Sequence, residues 1–185
     1  MKNKLILSKQ CAMRQHKGQY RKNNKTPYWH HLRDVVNNLE MMGIKDESIL
    51  CAGWLHDSIE DTSFDYDDVS KFFGKKVAQI VSDLTKETRL PKNQQEQNYL
   101  KQLAKSSWQS KIVKFADILA NVSDLKNSEL NQKQKIIQVK YKVKYLGVIK
   151  SGIVTHKNKI PNLFEAQNSL NSVFEQYGQQ KITLF

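Results

Sequence analysis

The chain has 185 residues and 21.6 kDa, with 39% hydrophobic and 26% charged residues, which fits one domain with a single sizeable core and argues against disorder. Seven Gly and three Pro argue against a turn-rich β sandwich or barrel, and the two cysteines, Cys11 and Cys51, give neither a disulfide framework nor a metal-binding Cys pair. No apolar run approaches the roughly 18 residues of a membrane span, and Leu5-Ile6-Leu7 is too short for a signal-peptide core, so a cytoplasmic protein without a membrane partner is expected.

The chain reads as all-α. Lys4–Lys17 is expected as a helix that stops before Gly18, and 18–27, rich in Asn and Lys, as a loop. Thr26 is expected to cap the next helix, with Pro27 at a tolerated start position. That helix runs from Tyr28 to Met42, with Leu32, Val35, Val36 and Leu39 on one face, and stops at Gly43. Asp46 caps a third helix that carries Ile49, Leu50, Ala52, Gly53 and Leu55 toward His56. Acidic 57–68 reads as a helix end and loop, followed by a short helix over 67–73 that stops at Gly74. Val77, Ile80, Val81 and Leu84 predict a helix over 75–85. A loop around Pro91 follows, then helices over 94–104 and 110–125. A long basic amphipathic segment covers 129–152, and Pro161 opens a last helix to Tyr177. Residues 1–160 are expected to form one compact multi-helix domain, with 161–185 as a helical extension packed on it.

Charge is segregated. The sum is +12, yet residues 1–25 carry eight Lys/Arg and no acid, and 126–159 carry nine Lys and one Glu. Residues 46–68 carry eight Asp/Glu and no Lys or Arg. Basic ends suit solvated helix faces, an anionic small substrate or nucleic acid. Oligomeric state is left open by the sequence.

Chemistry concentrates at His31, His56-Asp57 and Asp117. Neighbouring helical residues point about 100° apart, so an adjacent His-Asp converges on one point only near a helix end or with other helices in front. Glu60 and Asp61 follow the His-Asp pair by four residues each, on adjacent helical faces. Asp117 sits inside Ile112-Val113-Lys114-Phe115-Ala116-Asp117-Ile118-Leu119-Ala120, where a carboxylate requires a partner. So many ionisable groups packed together repel and desolvate one another unless a cation joins them. Two imidazoles and two carboxylates suit Mn²⁺, Fe²⁺, Co²⁺ or Zn²⁺ with open positions for water. Asn121, one turn after Asp117, can face the same site.

The order His31, His56-Asp57, Asp117 resembles the HD superfamily of metal-dependent phosphohydrolases. The flanks narrow the likeness to the RelA/SpoT hydrolase domain and the stand-alone small alarmone hydrolases. They are His16-Lys17-Gly18-Gln19-Tyr20-Arg21-Lys22 with Pro27-Tyr28 and His31, then His56 to Thr62, Phe73-Gly74 with Val77, Leu90-Pro91-Lys92, and Lys114 to Asp117 with Asn121 and Asp124-Leu125. The resemblance covers roughly residues 5–150. It implies an all-helical HD-domain fold, Mn²⁺ (or another divalent transition metal) held by His31, His56, Asp57 and Asp117, and hydrolysis of the 3′-pyrophosphate of guanosine 3′,5′-bis(diphosphate). It further implies Glu60 and Asp61 as the acids that activate the attacking water, and Arg21, Lys22 and Asn121 as contacts to an anionic nucleotide.

Two departures bear on the substrate. Ile118-Leu119-Ala120 is plainer than the family's polar and aromatic continuation. The family's cationic helix after Leu-Pro-Lys is here Asn93-Gln94-Gln95-Glu96-Gln97-Asn98, with Lys92, Lys101 and Lys114 as partial substitutes for its phosphate-binding cations. The alternatives are therefore an HD phosphohydrolase for another 2′- or 3′-phosphorylated nucleotide, such as NADPH or an adenosine alarmone, or a basic helical nucleic-acid-binding protein. The second has no use for the His/Asp/Glu cluster and ranks last.

Overall fold

The computed structural model describes residues 3–184, in which the chain is helical apart from its loops and one isolated bridge, Tyr20 to Pro27. Lys2, counted in the basic N-terminal stretch, and Phe185 lie outside the described residues. The helices are α1 (Lys4–Gln15), α2 (Trp29–Met41), α3 (Glu47–Leu55), α4 (Ser58–Asp61), α5 (Tyr66–Phe73), α6 (Lys75–Leu84), α7 (Lys92–Lys105), α8 (Trp108–Ser123), α9 (Gln132–Thr155) and α10 (Leu163–Gln176). Among the described residues, no helix is long and apolar enough to cross a membrane.

Helix α8 is the axis of the fold. Its segment 110–120 is buried on every side, and α2, α3, α6, α9 and α10 pack around it. A helix apolar all round has to be enclosed. Burying each Val, Ile, Leu or Phe side chain contributes about 1.5–3 kcal/mol. With Ile112, Val113, Phe115, Ile118 and Leu119 all buried, α8 can hold Lys114 and Asp117 inside the core.

Helices α2 and α3 frame one side of it. Asp46 caps α3 by accepting the Ser48 and Ile49 backbone N–H groups. At Gly53 an added Cβ would lie 2.8 Å from Leu39 Cδ1 and 3.0 Å from Val36 Cγ2, so only glycine lets α3 lie this close to α2. That approach sets His56, at the end of α3, beside His31 at the start of α2.

Several expected boundaries shift for local reasons. Thr26 does not cap α2: its carbonyl pairs with the Arg21 N–H at 2.8 Å, closing a loop whose tip is Asn24, and α2 starts at Trp29 without a side-chain cap. Within the acidic stretch expected as a helix end and loop, Ser58–Asp61 forms the extra short helix α4. Asp65, in a reciprocal capping box with Asp68, starts α5 at Tyr66. Asn131 does the same with Gln134, so α9 begins at Gln132 rather than near Glu129. Pro161 does not open α10. It packs on Gly43, whose φ of +82° suits glycine and where a Cβ would meet the proline ring at 3.0 Å.

The C-terminal residues join the same core through Leu163, Ala166, Leu170 and Phe174. Asn171 bonds the Ile182 backbone in both directions, at 2.8 and 2.9 Å, and tethers the tail along α10.

Candidate metal centre and substrate cleft

Three segments of the helical bundle deliver the cluster. His31 comes from the first turn of α2, His56-Asp57 from the break between α3 and α4, and Asp117 from the middle of α8. His31 Nε2 lies 3.2 Å from Asp117 Oδ1 and 3.7 Å from Asp57 Oδ2. His56 Nε2 lies 3.0 Å from Asp57 Oδ2 and 3.8 Å from Asp117 Oδ1. His31, His56 and Asp117 are buried, and each presents a ligand atom within 4.8 Å of the others. Asp57 stands at the edge of this trio, its Oδ2 accepting the Tyr28 hydroxyl at 2.7 Å.

These residues fit a divalent ion. Ligand atoms 2.0–2.1 Å from a common ion sit about 3.0–3.4 Å apart when adjacent, close to the separations here. The His56 Nδ1 N–H donates to the Gly53 carbonyl at 2.9 Å, which turns Nε2 and its lone pair toward the two carboxylates. That buried Nε2 has no hydrogen-bond partner among the described residues. A lone pair facing two carboxylates is favourable only with positive charge between them. The electrostatics agree: burial opposes a charged imidazole, yet Asp57 and Asp117 outweigh it and raise His56 to about 10. For Asp117, burial likewise opposes charge, but Lys114 first, then the histidines, hold the carboxyl well below the usual range. A divalent ion supplies that charge and leaves the histidines neutral.

Glu60 and Asp61 sit on α4, directly after the His-Asp pair. Glu60 is half-buried and its Oε2 accepts the Lys86 backbone N–H at 2.8 Å. Burial, then the Asp57 charge, raises its pKa. Asp61 reaches solvent, yet desolvation, then Asp57 and Glu60, push it up to about 6. An acid raised above its unfolded value of 3.8 favours the folded state only while protonated, so ionised Asp61 destabilises the fold, and stability falls as pH rises from about 4 to about 6. Asp61→Asn is therefore expected to raise the melting temperature by about 2–4 °C at pH 7 in chelator, and to leave it unchanged at pH 4. Thermal melts at the two pH values check this; a stabilisation of equal size at both would remove the charge explanation.

The nucleotide contacts expected from sequence divide. Arg21, Lys22 and Asn121 line one cleft with Ser128, Gln138 and Lys142. Asn121 Nδ2 also donates to Asp117 Oδ1, joining this cleft to the cluster. Arg21, however, is not a free cation: Nε and a terminal amino group bond Asp124 Oδ2 at 3.0 and 2.7 Å. Lys114 is not an open phosphate contact either. It is buried, its Nζ 2.9 Å from Asp117 Oδ2 and facing the Tyr99 and Tyr145 rings. Lys92 lies exposed at the start of α7 and is not among the cleft-lining residues.

Other participants went unread in the sequence. Tyr28, quoted only as part of a motif, holds Asp57. His16 is buried and stacks on Tyr28 with ring centroids 5.1 Å apart. Lys86 bonds Tyr145 Oη and lies 3.8 Å from Glu96, so α7 brings an acid where cations were sought. Lys142 was lost within the basic run of α9. The signal that could have found it is its place one turn before the aromatic Tyr145 on a helix read as basic and amphipathic.

An all-helical bundle with a two-histidine, two-aspartate cluster at its centre, and acids and cations at its mouth, defines the class of helical proteins with a buried His/Asp metal centre. The model of the HD domain family matches residues 9–143. The chain belongs to the HD domain family. Among curated relatives, the guanosine-3′,5′-bis(diphosphate) 3′-pyrophosphohydrolase MESH1 of Drosophila melanogaster is 38% identical over 118 residues, 63% of this chain and 66% of that protein. The Homo sapiens protein of the same name is 37% identical over 123 residues, 65% and 69% of the two chains. The match thus spans just under two thirds of the Drosophila protein's length. A solved metazoan ortholog of SpoT, described as hydrolysing ppGpp, superposes with a TM-score of 0.82 at 29% identity, covering 97% of this chain and 98% of that one.

Proposed function

We propose that this chain hydrolyses guanosine 3′,5′-bis(diphosphate) or its 5′-triphosphate form to GDP or GTP and pyrophosphate, using Mn²⁺ held by His31, His56, Asp57 and Asp117. The observation that carries the reading is the convergence of these four side chains, three of them buried and Asp57 half-buried, in a chain whose relatives bear that activity as their name. A bound divalent ion supplies Lewis-acid polarisation of a phosphoryl oxygen and a lowered pKa for water. The chain's own groups do the rest. Glu60 and Asp61 receive the proton of the attacking water, both raised toward the range where a general base works. Tyr28 fixes Asp57, and Lys114 and Asn121 fix the two oxygens of Asp117. Lys22 and Asn121 orient the nucleotide in the cleft, while Arg21 shapes it through Asp124. On this reading residues 1–160 form the HD unit, 161–185 extend it, and the protein works in the cytoplasm.

The test is turnover of guanosine 3′,5′-bis(diphosphate) with metal analysis. Protein purified without chelator is expected to hold about one transition ion per chain and to release GDP and pyrophosphate, with solvent oxygen in one product. Chelation should abolish turnover and Mn²⁺ restore it. A metal-loaded chain that leaves this substrate intact would overturn the reading. One observation favours a second substrate, a 2′- or 3′-monophosphorylated nucleotide such as NADPH: α7 supplies Glu96, not an open cation, beside Lys86. The same assay on NADPH, read as phosphate release, separates the two.

A further inference from the structure

Helix α4 carries Glu60 and Asp61 and is a single turn of four residues, too short to hold its own position. Its N-cap, Asp57, makes no side-chain cap bond, because that carboxylate is turned to His56 and Tyr28. The two acids are then held by different partners. Glu60 is tied by its own carboxylate to the Lys86 N–H. The Asp61 carboxylate accepts no hydrogen bond among the described residues. Its place is therefore set by its backbone, and that backbone is tied across the fold by Gln19, 42 residues away, whose Nε2 donates to the Asp61 carbonyl at 2.8 Å.

Gln19 is in turn fixed by His16. The His16 Nδ1 lies 2.7 Å from Gln19 Oε1. With its amide N–H already donating to Asp61, Gln19 accepts here, so His16 carries its proton on Nδ1. Burial lowers the His16 pKa and keeps the ring neutral. The local sequence builds the contact. Helix α1 ends at His16, Gly18 takes a φ of +84°, and the chain doubles back so that the Gln19 N–H reaches the His16 carbonyl at 3.1 Å. The His16 ring is buried on Tyr28, and its Nε2 has no hydrogen-bond partner among the described residues. An apolar ring in this place would avoid that desolvation cost. What histidine adds over such a ring is the Nδ1 donor to Gln19.

We infer that His16 is a positioning residue: through the Gln19 amide it fixes the backbone of Asp61, and so sets where the Asp61 carboxylate stands relative to the His/Asp cluster. This rests on the phosphohydrolase reading above, in which α4 takes the proton of the attacking water. An acid displaced by a fraction of an ångström keeps its charge and loses its reach, so the loss should fall on kcat and not on binding.

Two substitutions separate the donor from the ring. His16→Phe keeps a ring on Tyr28 and removes the donor. His16→Asn keeps an N–H donor at the same place along the side chain and removes the ring. In the Mn²⁺-loaded full-length protein, kcat on guanosine 3′,5′-bis(diphosphate) is expected to fall about 10–100-fold in His16→Phe, with KM, metal content and melting temperature near wild type. Gln19→Leu should match it. His16→Asn should melt lower, yet keep kcat within about threefold of wild type when assayed below its transition. A histidine that only fills the core gives the opposite order, with activity following stability, and that order overturns the inference. In the Asp61→Asn background, His16→Phe should be nearly silent on kcat, because the group it places is already gone; an undiminished loss there overturns it as well. Should wild type leave both this nucleotide and NADPH intact, the phosphohydrolase reading fails, and the hold on α4 is decided by amide hydrogen exchange on chelator-treated full-length protein. Residues 58–62 should then exchange about 3–10-fold faster in His16→Phe than in wild type, with α8 unchanged, and equal exchange sinks the inference.

Discussion

Asp117→Asn is expected to lower the melting temperature by about 6–20 °C in chelator and to cut turnover by about 10³ or more. The two losses have different origins. Asp117 Oδ2 holds Lys114, which is buried on α8 with its other neighbours being the Tyr99 and Tyr145 rings. Removing one partner of a buried ion pair strands the other and costs about 3–5 kcal/mol. Asp117 Oδ1 faces both histidines, so on the proposed reading the same change removes a metal ligand. Metal analysis should find little bound ion, and Mn²⁺, expected to raise the melting temperature of wild type, should leave that of the variant unchanged. Adding Lys114→Met to Asp117→Asn removes the stranded charge and should recover much of the stability but none of the turnover. The sign with pH follows from linkage. Asp117 is depressed in the fold, so its stabilisation is present above its unfolded value of 3.8 and is lost as pH falls through its lower folded value. The gap between wild type and variant should therefore narrow on acidification below about pH 4. Full metal content in Asp117→Asn, or a gap unchanged by pH, would overturn this account.

Most of the cluster was readable in the sequence because Asp117 and His56-Asp57 stand out against their local patterns, while His31 was picked out through the order of the family motifs. Asp117 interrupts an apolar helix, and His56-Asp57 ends another that is buried from Ile49 to Leu55. The helices themselves followed from apolar periodicity and from stops at Gly43 and Gly74. What the sequence could not show was pairing across long separations. Arg21 and Asp124 are 103 residues apart, and Tyr28 and Asp57 are 29 apart. A basic residue looks the same in a sequence whether it faces substrate or a buried carboxylate; only packing decides. Hence Arg21 and Lys114 read as open cations and proved to be paired, while Lys142 was not singled out within its basic segment and lines the cleft. Thr26 misled for a smaller reason. Its signature fits a cap, but Asn23 accepts the Lys25 and Thr26 N–H groups and turns the backbone into a closed loop instead.

That loop also bears on the segregated charge. Gln19 Nε2 donates to the Asp61 carbonyl at 2.8 Å, and Arg21 and Lys22 reach Asp124 and Gln138, so the basic loop lies across the mouth of the acidic centre. Facing opposite charges this way balances the carboxylates in the folded chain and leaves a positive approach for an anion.

The second large effect is expected from Glu60→Gln: kcat lower by about 10²–10⁴ with metal content near wild type. Glu60, on α4, lies one turn beyond His56. Burial and the Asp57 charge raise its pKa, as suits a group that must take a proton and give it up. It also has a structural duty, since Oε2 accepts the Lys86 N–H and helps set the loop between α6 and α7. Glutamine keeps an oxygen acceptor for that bond, and so separates the two roles. If Glu60 acts as the base, the melting temperature should hold, KM should change little and kcat should fall. If it acts only through Lys86, Glu60→Gln should be nearly silent, whereas Glu60→Ala should lose stability and activity together. Asp61→Asn in parallel apportions the proton between the two acids: the one whose amide loses more turnover at constant metal content takes it first. Loss of metal in Glu60→Gln would make Glu60 a ligand, and unchanged kcat in both amides would remove α4 from the chemistry.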